Sequence, residues 1–369
     1  MPSPTPLPPV PAARSARLAV LDVLRGLAAL SVALYHFCWN GAYLHGFPAD
    51  NPIKAISGHG HRGVYVFFVV SGFVLPWAME RGGYRPAHSL RFLGKRLLRI
   101  HPPYVVAVLV LVAMELGTHP DALVAVRDGW GAWWRHLFYL NDLTGHPWLL
   151  DIFWTLAVEM QFYLAIGLLF PLLTAREAWL RWLCLAGIAG SAFAGGPAVG
   201  GIKATALVHH YGGSFALGIA GFWWLTGRLR AWPGAAALLC GTAAVVHTHG
   251  YATAWLCLAT VLVIVFVPVR NRVLVWLGAV SYPLYLFHLI VGGAIIDAAS
   301  SLARDPWRDS AVVLVALAAS LAAAWVVHRW VETPCQRWSS ALRYPARRGT
   351  GGIPSRVPVA EGAAGVDLK

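Results

Sequence analysis

The stretch Leu18–Trp39 reads LAVLDVLRGLAALSVALYHFCW, and its reading decides the fold. As a helix rising about 1.5 Å per residue it is long enough to cross roughly 30 Å of hydrocarbon. It holds Arg25 near one end and His36 near the other, with ten residues between them. That spacing is roughly 16 Å along the axis, and eleven steps of about 100° return the second side chain to within roughly 20° of the first. The residues between are almost all apolar: Gly26, Leu27, Ala28, Ala29, Leu30, Val32, Ala33 and Leu34. An ionisable side chain inside such a helix is costly and needs a functional or structural reason.

The composition carries this reading over the whole chain. Of 369 residues, 58% are apolar and only 12% charged. A soluble chain of this length carries about 25% charged residues. The mean hydropathy is +0.59, so the chain is expected to be all-α, a polytopic membrane protein. The net charge of +13 would suggest nucleic acid on a soluble protein. Here the basic residues sit in short loops between apolar runs, where they set topology and meet anionic lipid or an anionic cofactor, so no nucleic-acid partner is expected. The five cysteines form no CxxC pair and read as small buried hydrophobes. The first apolar run is too long for a cleaved signal peptide and ends in Tyr35–Trp39 rather than in small residues.

About ten spans follow from the apolar runs: 18–39, 64–79, 101–117, 152–173, 179–193, 204–225, 233–247, 251–267, 273–296 and 310–330. Alternate loops divide the Lys and Arg residues into about 21 on one side and about seven on the other, which puts both termini in the cytoplasm. Arg25 then lies toward the cytoplasm and His36 toward the outer half of the membrane. The expected organisation is an unstructured N-terminus over residues 1–17, a membrane domain over 18–338 and a disordered basic tail over 339–369. The external loop Thr118–Asp151 is rich in aromatic residues, which suits a segment lying in the membrane interface.

Five stretches carry chemistry-bearing residues. Arg25 reads as a snorkelling arginine paired with Asp22 or as part of a site. His36 is either a hydrogen-bonded core histidine or an imidazole that moves a proton near neutrality. Arg96 and Arg99 share a face at a helix end, either as positive-inside anchors or as a fork for phosphate oxygens. Glu159, alone in an apolar span, needs a partner, and His36 stands at a similar depth. His288 is a further intramembrane imidazole on a span that Pro283 can kink, with Tyr282 beside it. Ser71–Gly72 lacks a nucleophile elbow, so close packing is its more economical reading. The pairs His59/His61, His209/His210 and His247/His249 are weak metal signals, and no metal is expected.

Taken in order, these stretches resemble the acyltransferase 3 family of integral membrane O-acyltransferases. The matching residues are Arg25 with His36; Phe67-Phe68-x-x-Ser71-Gly72-Phe73; Arg96-x-x-Arg99 leading into Ile100-x-Pro102-x-Tyr104; Trp154-Thr155-Leu156-x-x-Glu159-x-x-Phe162-Tyr163; Ser281-Tyr282-Pro283-Leu284-Tyr285-Leu286-x-His288; and Val331-Glu332-x-Pro334. The resemblance implies transfer of an acyl group, often acetyl from acetyl-CoA, to a hydroxyl of a carbohydrate or small molecule. It implies catalysis by His36, with Arg25, Arg96 and Arg99 handling acyl-CoA. Glu159 is expected to orient His36; Ser71, Tyr282 and His288 form a second tier. Some members carry a C-terminal esterase-like domain, and this chain is expected to work without one, in the bacterial inner membrane. The competing reading is a transporter or flippase of a glycan or small molecule, which also needs buried His, Glu and Arg.

Overall fold

A chain that threads hydrocarbon must satisfy its own backbone N–H and C=O groups, and helices do so within each segment. The computed structural model of the protein is accordingly built from helices. It describes residues 12–39, 52–118, 130–194, 198–199, 202–229, 231–269, 271–299 and 305–344. Residues 1–11 and 345–369, most of the two expected disordered termini, lie outside the described residues, as does 40–51 with His45. The helix α1 (Ala12–Trp39) starts before Leu18, and α14 (Thr333–Ala341) continues past residue 338. Between them run α2 (Pro52–Ser57), α3 (Gly63–Arg81), α4 (Ser89–Thr118), α5 (Trp130–Leu137), α6 (Trp154–Leu173), α7 (Ala178–Gly190) and α8 (Gly212–Leu225). Then come α9 (Ala231–Phe266), α10 (Arg272–Ala279), α11 (Ser281–Phe287), α12 (Ala294–Ala298) and α13 (Pro306–Val327).

Among the described residues, seven helical segments are long and apolar enough to cross a membrane, and Ala178–Phe193 forms a shorter apolar one. The protein is therefore a helical, multi-pass membrane protein. One of the seven, Trp232–Phe266, is not a single pass. Gly250, at φ 77° and ψ 172°, interrupts it, a conformation that costs glycine little and other residues more. In the first half of α9, Gly234 abuts Trp224 and Val245 abuts Gly213, so this half runs antiparallel to α8. In the second half, Cys257 meets Ser214 and Val261 meets Gly221, so it runs parallel to α8. The chain turns back at Gly250, where the sequence reading separates its seventh and eighth spans. Two other expected spans are altered. Short 3₁₀ turns at Ala204–Ala206 and Val208–Tyr211 precede α8 in place of one helix from residue 204. The span over 273–296 is broken into α10, α11, a π-helical turn over His288–Gly293 and α12.

Two close helix crossings set the interior. A Cβ on Gly72 would lie 2.3 Å from the Phe215 carbonyl oxygen, and one on Gly218 only 2.1 Å from that of Val69. Packing is thus the role of Gly72, and it presses α3 onto α8, which is buried all round. A Cβ on Gly278 would lie 2.1 Å from the Asp22 carbonyl oxygen. That crossing lays α10 on the first turns of α1, beside Arg25. Outside the long helices, α5 folds back on α4: the Tyr104 hydroxyl donates to the His136 carbonyl at 3.1 Å. Trp134 and Phe138 remain exposed on this segment, which fits the interfacial reading of the aromatic loop.

Candidate active site

A cavity that is partly open to solvent lies among α1, α3, α4, α6 and α11 and takes in six of the eight side chains singled out from the sequence: Arg25, Arg96, Arg99, Ser71, Glu159 and Tyr282. Five helices and the π-helical turn after α13 (His328–Glu332) supply this lining, so residues up to 307 positions apart in sequence (25 to 332) converge on it.

The three guanidinium groups define one end. None forms an ion pair with a carboxylate among the described residues. The Arg25–Asp22 bridge, one of the two readings of Arg25, is not formed, and Arg25 lines the cavity. Arg96 lies over the Phe92 and Tyr163 rings, at 5.5 and 5.8 Å. Arg99 sits within electrostatic reach of Arg25 and Arg96 and of two acids, Glu332 and Asp22. Glu332, however, accepts hydrogen bonds from His328 Nδ1 at 2.8 Å and Gln336 Nε2 at 2.9 Å. Three cations thus face one partly enclosed space with no carboxylate ion-paired to any of them among the described residues, an arrangement suited to a polyanion.

Glu159 stands in the same cavity. Its Oε1 accepts from the Tyr163 hydroxyl at 2.6 Å and the Ser71 hydroxyl at 3.2 Å. Ser71 and Gly72 therefore have separate roles: the glycine packs, and the serine faces the cavity. The Tyr282 hydroxyl donates to the Ile100 carbonyl at 2.5 Å, tying α11 to α4 one residue after Arg99. The Tyr285 hydroxyl is 2.9 Å from both the Thr155 hydroxyl and the Ile152 carbonyl, which fixes its ring in the cavity wall.

His36 does not line this cavity. Its Nδ1 lies 2.9 Å from Nε2 of His288, and the two rings stack at 5.1 Å. The expected hydrogen bond between Glu159 and His36 is not formed. Ser71 and Tyr163 satisfy the carboxylate, and the broken ninth span brings His288, rather than α6, against α1. The link between imidazole and cavity runs through the wall: the Tyr285 ring is 6.0 Å from that of His288 and 5.8 Å from that of Phe67, and both Tyr285 and Phe67 border the cavity.

Tyr163, Tyr285 and Glu332 join the site without having been singled out as candidates. Each lies inside a stretch that carried a motif, so the signal was available; the pairing of helices that brings them together was not. The histidine pairs fall elsewhere. His249 stacks on Tyr211 and meets the Tyr65 ring edge-on, and among the described residues no three His, Cys, Asp or Glu side chains converge as a metal would need. Outside the spans, burial beside Arg135 pushes the His136 imidazole down to about 4.

A family model described as an acyltransferase domain, that of acyltransferase 3, matches residues 18–329. The chain belongs to the acyltransferase 3 family. The match runs from α1 into the π-helical turn after α13 and so takes in every cavity-lining residue but Glu332. O-acetyltransferase OatA of Staphylococcus aureus is 30% identical over 168 residues, 42% of this chain and 25% of the relative. Acyltransferase MdmB of Streptomyces mycarofaciens is 29% identical over 189 residues, 48% and 45% of the two chains. A Caenorhabditis elegans protein named regulator of hypoxia-inducible factor 1 is 28% identical over 179 residues, 43% and 35%. These alignments span from a quarter to just under half the length of the relatives. No solved structure matches the chain.

Proposed function

We propose that this acyltransferase 3 protein moves an acyl group, acetyl in the simplest case, from acyl-CoA to a hydroxyl of a carbohydrate or other envelope or secreted molecule. The observation that carries the reading is the cavity in which Arg25, Arg96 and Arg99 meet without a carboxylate bound to any of them. Phosphate groups are the ligands that such a set of guanidiniums fits best. The names of OatA and MdmB support transfer of an acyl group.

In this reading the charge count puts the arginine end toward the cytoplasm of a bacterial plasma membrane, with both termini on that side. The three arginines hold the donor phosphates, and the apolar arm extends past Glu159 toward Phe67 and Tyr285. These two rings close the far wall and keep water from the thioester. They part to admit the acceptor, whose hydroxyl proton passes to His36 as its oxygen attacks the thioester carbonyl. The C–S bond breaks, and the leaving thiolate takes the proton back from the imidazolium. Glu159, with Ser71 and Tyr163, shapes the polar side of the cavity rather than orienting His36.

The test uses protein purified into lipid nanodiscs and supplied with radiolabelled acetyl-CoA and envelope glycans or hydroxylated metabolites. Wild type should release CoA in step with acceptor labelling. His36→Ala should insert and bind donor but not transfer. Transfer by His36→Ala at a rate near wild type would overturn the role of His36; absence of any donor binding by wild type would overturn the function.

A further inference from the structure

The reading of His36 as a base leaves open which of its nitrogens can accept a proton, and the structure answers this through His288. We infer that His288 is a positioning residue that fixes the tautomer of His36, leaving Nε2 of His36 free to act as the base. The inference rests on the function proposed above.

The chain of assignments starts at a backbone carbonyl. His288 Nδ1 lies 2.7 Å from the Tyr285 carbonyl oxygen and 3.2 Å from that of Leu284. Carbonyl oxygens only accept, so Nδ1 of His288 carries the hydrogen. His288 is fully buried, and no acidic side chain is within hydrogen-bonding distance of it. Its ring is therefore neutral, and its Nε2 holds a lone pair. The partner of that lone pair is Nδ1 of His36, at 2.9 Å. Nδ1 of His36 must then be the donor, and its Nε2 holds the remaining lone pair. The second ring nitrogen of a catalytic histidine is commonly set by such a bond, and in hydrolase triads a carboxylate occupies the place that His288 takes here. When His36 takes a proton, the Nδ1–H···Nε2 bond becomes charge-assisted and strengthens, so His288 also stabilises the imidazolium.

The local fold explains why this acceptor is available. The helix changes from α to π at His288, a kind of irregularity found often at functional sites. It turns the ring back onto its own carbonyls on one side and onto α1 on the other.

The experiment combines nitrogen NMR with kinetics on the full chain in bilayers, using ¹⁵N-histidine and assigning His36 by its loss in His36→Gln. Wild-type His36 should show hydrogen on Nδ1. In His288→Leu it should shift toward the Nε2–H form, and kcat should fall about 10- to 1,000-fold while KM for acetyl-CoA changes less than about twofold. His288→Gln, whose carboxamide oxygen can accept from His36, should recover most of that loss. Hydrogen on Nε2 of wild-type His36 overturns the inference, even if the Leu variant fails to fold. So does full kcat in His288→Leu, or an equal loss in the Leu and Gln variants. Failure of the proposed function has a different signature, a wild-type protein that binds no acyl-CoA.

Discussion

Replacing Arg99 by Gln separates a binding arginine from a structural one. Arg99 lies beside Arg25 and Arg96 with two acids, Glu332 and Asp22, in electrostatic reach but neither ion-paired to it, and Glu332 already accepts from His328 and Gln336. At an effective dielectric constant near 20, a guanidinium and a phosphate about 4 Å apart attract by about 4 kcal/mol. After desolvation, a charge-assisted hydrogen bond contributes about 1.5–3 kcal/mol, or roughly 10- to 150-fold in affinity. CoA binding to Arg99→Gln, measured by calorimetry in nanodiscs, should weaken by that factor. The donor-free protein should melt at the same temperature or higher, because removing one of three neighbouring cations relieves repulsion. A structural ion-pair role has the opposite signature: a melting temperature lowered by several degrees with CoA affinity unchanged. That pair of results would refute the assignment of the cavity to an anionic donor.

Other substitutions test the geometry around this cavity. Gly72→Leu, with a Cβ 2.3 Å from the Phe215 oxygen, should destabilise by at least about 1–3 kcal/mol in thermal melts, whereas Ser71→Ala should fold normally; equal stability of both would remove the packing argument. Tyr282→Phe loses the bond to the Ile100 carbonyl and should cost about 1 kcal/mol while raising KM for acetyl-CoA, a change expected only if that bond holds Arg99 in place. The His136 imidazole is lowered from 6.5 to about 4, so between those values the unfolded chain binds the proton that the folded one does not. Stability should therefore be complete above about pH 6.5 and decline toward pH 4, and His136→Asn should flatten this part of the profile; an unchanged acid limb would argue that other groups set it.

Much of this architecture was legible in the sequence because a membrane leaves few options. The length and apolarity of Leu18–Trp39 demand a spanning helix, and Arg25 within it needs a reason, as an anchor beside Asp22 or as part of a site. The arginines of α4 were recognisable for the same reason, since Arg96 and Arg99 share a helical face. What sequence periodicity does not contain is the choice of neighbours. Glu159 and His36 lie at comparable depth, yet α6 meets α3 and α4 while α1 meets α10 and α11, so the expected pair is replaced by Glu159–Ser71 and His36–His288. The π-helical turn at His288 is invisible to a count of 3.6 residues per turn. The turn at Gly250 was readable only as a gap between apolar runs, and the helix crossings at Gly72 and Gly278 only as small residues.

The most direct test is a structure determined in nanodiscs with a non-hydrolysable thioether analogue of acetyl-CoA. The account predicts pyrophosphate oxygens within hydrogen-bonding distance of Arg25, Arg96 and Arg99, with the acyl end against Phe67 and Tyr285. An analogue bound outside this cavity, with its phosphates on other residues, would contradict it.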